Sequence, residues 1–92
     1  MRIVGYIEHP VYMVTVFQMD DKYSIKFEKN LLEQTFKYRS GPHLSNIEQI
    51  RALVNGEFLK QVDEVFAKMD QARLSSLARS TQHMNDEFDD II

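Results

Sequence analysis

Ninety-two residues leave room for one hydrophobic core and exclude a second. An apolar share of 43%, with six Phe, four Tyr and five Met, excludes wholesale disorder, and the absence of cysteine excludes disulfides, thiolate chemistry and Cys-based zinc sites. The net charge of −3 divides into +1 over residues 1–45 and −4 over 46–92, a field too weak to name a partner and mildly adverse to phosphate-rich ones.

Residues 2–8 alternate Ile3 and Ile7 against Val4 and Tyr6 around Gly5 and read as a strand closed by His9-Pro10. Residues 11–19 are the most β-prone of the chain. Both alternating sets are apolar there: Val11, Met13 and Phe17 on one side, Tyr12, Val14 and Val16 on the other. That pattern predicts a central strand, with Pro10 just outside it where a missing N–H is tolerated.

Asp20-Asp21 signals a tight turn. From residue 22 to 29 the alternation is clean, with Tyr23, Ile25 and Phe27 against Lys22, Ser24, Lys26 and Glu28. It predicts a strand with one wet face. Residues 31–39 are ambiguous, because Leu32 and Phe36 also form an i, i+4 helical pair. As a strand they place Leu32, Phe36 and Tyr38 on one face. A hairpin turn at Asn30-Leu31 then sets Ile25 opposite Phe36 and Tyr23 opposite Tyr38, with both apolar sets inward. The strand reading is preferred on that ground.

Ser40-Gly41-Pro42-His43 breaks the pattern, and Ser45 with Glu48 three residues on reads as a capping box. The following apolar stripe runs Ile47, Ile50, Val54, Phe58, Leu59, Val62, Val65, Phe66, Met69 and Ala72. Asn55-Gly56 interrupts its propensity without shifting its phase, so a kink or brief break is expected there. Past Ala72 the stripe fails, with Arg73 and Ser76 at its central positions and Leu74 and Leu77 to one side. A helix from 45 to 79 would be about 52 Å long. A globule of this size should be roughly 30 Å across. Either the helix breaks or one end projects.

Chemistry-bearing patterns are sparse. The three histidines (9, 43, 83) form no i, i+3 or i, i+4 pair with one another, and such convergence is what metal sites need. No Gly-x-Ser-x-Gly elbow, Walker A loop or Rossmann fingerprint occurs, and the glycines (5, 41, 56) are isolated. Asp63, Glu64 and Asp70 fall on the polar side of the helix, where the ordinary reading is a solvated face. No catalytic residue, cofactor or metal ligand is assigned.

Two surfaces remain. The outer face of the hairpin gathers Lys22, Lys26, Lys37 and Arg39, which in principle suits single-stranded nucleic acid. The hairpin's own aromatics point the other way, however, and lysines on exposed strands also guard against edge pairing. The C-terminal residues 81–92 mix acids with Phe88, Ile91 and Ile92, a combination that docks on a partner groove or folds back on its own domain.

The expectation is an α+β domain over residues 1–80: a three- to four-stranded antiparallel β-meander, then a long amphipathic helix on one face of the sheet. An acidic amphiphilic tail, 81–92, follows. Residues 1–8 hold no apolar h-region and no stretch reaches the ~20 residues that cross a bilayer, so a cytoplasmic protein with no membrane association is expected. The leading functional expectation is a non-catalytic interaction module. It acts as a homodimer, since a chain this short buries little surface by itself. Leu74, Leu77, Phe88, Ile91 and Ile92 are its candidate contacts. The alternatives are a nucleic-acid-associated protein using the basic hairpin face, and a ligand-binding or enzymatic domain with its site at a subunit interface.

Overall fold

In the computed structural model, which describes the backbone of residues 1–91 and the side chains of residues 1–81, four strands are followed by two helices. The strands are β1 (Arg2–Ile7), β2 (Met13–Met19), β3 (Lys22–Lys29) and β4 (Leu32–Arg39); the helices are α1 (Ile47–Leu53) and α2 (Gly56–Ile91). All neighbours are antiparallel and the sheet order is β1-β2-β3-β4, a meander.

Turn chemistry fixes this order. Asp20 and Asn30 adopt φ values of 55° at the two hairpin tips. Asp and Asn are the non-glycine residues that enter the left-handed region at least cost. The Asn30 turn sets Ile25 opposite Phe36 and Tyr23 opposite Tyr38, the register that the alternation predicts. The pairing makes β4 a strand, since Leu32, Phe36 and Tyr38 join the core face only in that form.

On the inner face Tyr12, Val14, Val16, Tyr23, Ile25 and Phe27 are buried together with Ile50 of α1 and with Val62 and Phe66 of α2. Aromatic rings link the layers: Phe58 lies 5.0 Å from Phe36 and 5.8 Å from Phe27, and Phe66 lies 5.2 Å from Tyr12. Such pairs contribute about 0.5–1.5 kcal/mol beyond their buried area. Phe66 is 2% exposed, as the helical phase requires, whereas Val65, placed on the stripe by the sequence, is 43% exposed. The sheet meets α2 along Val62, Phe66 and Met69, and Val65 falls just outside that arc.

The capping box is displaced by one residue from its expected place. Asn46, not Ser45, caps α1, its side chain accepting from the Gln49 backbone N–H at 3.0 Å. Gln49 Oε1 in turn accepts from the Ser45 N–H at 2.6 Å. Asn46 and Gln49 have the same spacing of three as Ser45 and Glu48, and Asn is at least as good a cap as Ser. Helix α1 ends at Leu53, and Asn55 Oδ1 accepts from the Phe58 N–H at 2.9 Å to open the next helix. The break therefore falls where the Asn-Gly pair predicts it. It lets α1 lie against β1 while α2 lies against β4.

Helix α1 can approach β1 because of Gly5. That residue lies beside a register shift in β1, and a Cβ there would stand 3.0 Å from Cδ1 of Ile47. Arg51 adds a hydrogen bond from Nη2 to the Tyr6 carbonyl at 3.3 Å.

The 36 residues of α2 extend about 54 Å. The molecule measures 65 × 27 × 18 Å with a radius of gyration of 18.6 Å, against about 12 Å for a compact chain of this length. The helix both breaks and projects.

Candidate interaction surfaces

The outer face of the sheet is read directly from the strand register. β1 contributes Ile3 and Tyr6, and β2 contributes Met13, Thr15, Phe17 and Met19. Ile3 stands opposite Phe17, and Tyr6 opposite Thr15. Among the described residues nothing covers this side. Ile3, Tyr6 and Met13 are more than half exposed, Met19 nearly so, and Phe17 is half-buried. Thr15, walled in by its neighbours, is only 5% exposed and forms the floor of the patch. The doubly apolar pattern of 11–19 belongs to a central strand, as expected, and only one of its two apolar sets is buried.

Beside this apolar half lies a charged half. Lys22 pairs across strands with Arg39, Ser24 with Lys37, and Lys26 with Thr35. The structure thus brings together all four basic residues singled out in the sequence. They are not equally free. Lys26 Nζ lies 3.4 Å from Glu28 and 3.9 Å from Glu33, bridging two carboxylates that face each other across the hairpin. It also sits 5.5 Å from the centroid of the Phe17 ring. Arg39 reaches Asp21 at 3.5 Å. Among the described residues Lys22 and Lys37 have no carboxylate within ion-pair distance. Pairs this exposed contribute little to stability, so these cations remain open to a partner's acid.

The second surface is the projecting part of α2. Leu74 and Leu77 are 51% and 54% exposed and have left the sheet behind, as the sequence predicted. The side chains of Phe88 and Ile91, and Ile92 altogether, lie outside the described residues.

Between the β3–β4 hairpin and α2 runs a groove lined by Lys29, Leu31, Asp63, Phe66, Asp70 and Arg73. Arg73 Nη2 lies 3.5 Å from Asp70, and its Nε is buried without a hydrogen-bond partner among the described residues. Two cations and two carboxylates share the groove, so it selects no sign of ligand.

His9 has a structural role that the sequence did not show. Its Nδ1 accepts from the N–H groups of Val11 and Tyr12, both at 3.1 Å, and its ring stacks on Tyr12 at 4.5 Å. It shapes the β1–β2 turn as an acceptor. Among the described residues no group of three or more His, Asp or Glu side chains is placed to hold a metal ion, and no helix is long and apolar enough to cross a membrane.

No protein family, characterised protein or solved structure shows a match to this chain.

Proposed function

We propose that the protein is a non-catalytic interaction module that works as a homodimer in the cytoplasm, with the helix beyond Ala72 making the contact. The observation that carries this reading is the projection of α2: a 36-residue helix packs on the core as far as Met69 among the described residues and carries Leu74 and Leu77 into water. An isolated helical extension is marginal in water, and apolar residues exposed along it contribute stability only when another surface covers them. The small core adds a second reason, since a chain of this length has little stability to spare. The lack of cysteine suits a reducing compartment.

Unfolding that is coupled to dissociation has a midpoint that rises with protein concentration. The thermal midpoint of the full chain should therefore climb across a hundredfold range of concentration. In the double variant Leu74→Glu/Leu77→Glu it should be lower and flat. A wild-type midpoint that does not move with concentration would refute the homodimer.

One observation favours the nucleic-acid reading over its standing in the sequence: Tyr6 and Phe17 share the outer face with Lys22, Lys26, Lys37 and Arg39. That combination of rings and cations is what a single-strand platform needs. Against it, the exposed area around the rings is aliphatic (Ile3, Met13, Met19) and two of the four cations are already paired.

A further inference from the structure

Among the described residues two surfaces lack a partner, and they match each other. The first is the outer face of the sheet, apolar along β1 and β2 and basic along β3 and β4. The second is the overhang of α2. From Leu74 onward the sequence places Leu74, Leu77, Thr81, Met84, Phe88 and Ile91 at successive intervals of three, four, three, four and three residues. On a helix that spacing marks one continuous seam. Acidic residues cluster at its far end: Asp86, Glu87, Asp89 and Asp90.

We infer that the projecting part of α2 covers the outer sheet face of a second copy of this chain, and that the second copy's helix covers the first in return. This rests on the homodimer proposed above and names the surface that each helix meets.

Three observations select this arrangement. Lengths agree: residues 74–91 of α2 span about 27 Å, and the seven residues of β2 span about 23 Å. Charges agree as well. The face offers Lys22 and Lys37 without carboxylate partners among the described residues, and the overhang ends in four acids. Pairing the two overhangs with each other in parallel would instead bring acid against acid, along a seam of only about two and a half heptads, where a self-sufficient coiled coil takes three or four. Symmetry also closes. The overhang lies in the helix layer, one level below its own sheet. A two-fold axis in the sheet plane, perpendicular to α2, sets the two sheets side by side in one layer. Each overhang then lies on the exposed side of the other sheet. The contact is reciprocal and leaves no open end for a filament.

The test mixes two full-length variants at exposed positions, each confirmed as folded by circular dichroism. One has its sheet face blocked (Tyr6→Glu/Met19→Glu) and the other its helix (Leu74→Glu/Leu77→Glu). Each alone should be monomeric. Mixed, they should form a heterodimer through the one intact face and the one intact helix, roughly tenfold or more weaker than the wild-type dimer because one of two contacts is lost. If the Glu variants do not fold, the corresponding Ala variants take their place with the same reading. A face-blocked chain that still dimerises by itself, with no heterodimer in the mixture, overturns the inference in favour of helix-on-helix pairing and leaves the homodimer standing. A monomeric wild type removes both. Binding of a single-stranded oligonucleotide that Tyr6→Glu/Met19→Glu abolishes, with the dimer mass unchanged, also overturns it and assigns the face to nucleic acid.

Discussion

Phe66 is the residue on which the inner layer turns: it is fully enclosed, its ring lies tilted against Tyr12, and it is one helical turn from Val62. Truncating it leaves a cavity that a well-packed core cannot close. Phe66→Ala should cost about 3–5 kcal/mol, measured as a fall in the denaturant midpoint at matched protein concentration. Its burial was legible, because a residue in the middle of a helical stripe has few other places to go. Val65 was not, since a 100° count places a residue on an arc but does not say where on that arc the sheet sits. Gln34 was illegible too. It is buried on the core face, donating from Nε2 to the Val62 carbonyl at 2.9 Å. The strand pattern around it gives no sign that a polar side chain is tucked under a helix.

At the scale of elements, α1 is held to the sheet by a fit rather than by area. Its Ile47 occupies the space over Gly5, and its Arg51 reaches the Tyr6 carbonyl. Gly5→Val should force α1 outward and cost about 1–3 kcal/mol. Ile47→Ala in the same chain should recover part of that cost, so the double-mutant cycle should show coupling; additive costs would mean that the two do not meet. The strands, both hairpin turns and the helix break were all legible, because alternation and Asp, Asn and Gly punctuation have local causes. The β3–β4 register followed from a single turn placement. The start of α1 was legible only to within one residue, since Ser45-Glu48 and Asn46-Gln49 satisfy the same spacing rule. The doubly apolar pattern of β2 was legible as a central strand, which it is. Apolar residues on both sides of a strand say that both sides want cover, and the monomer supplies cover to one.

Over the whole molecule, a sheet with one bare apolar side and a helix that outruns it belong to the same problem. The sequence disclosed the overlong helix through a length that a compact domain of this size cannot hold, and it disclosed the mixed acidic and apolar end. It did not disclose that the two unpartnered surfaces are complementary, because that depends on which side of the sheet the helix takes. Lys22, Lys26, Lys37 and Arg39 read as a patch in the sequence and stand as one in the fold. Tyr6 and Phe17 join them only once β1 and β2 are placed. Sedimentation equilibrium of the full-length chain at tens of micromolar tests self-association most directly. The account predicts a mass twice the 10.9 kDa of the chain, falling to the single-chain value in Leu74→Glu/Leu77→Glu; a wild-type mass of 10.9 kDa throughout would contradict it.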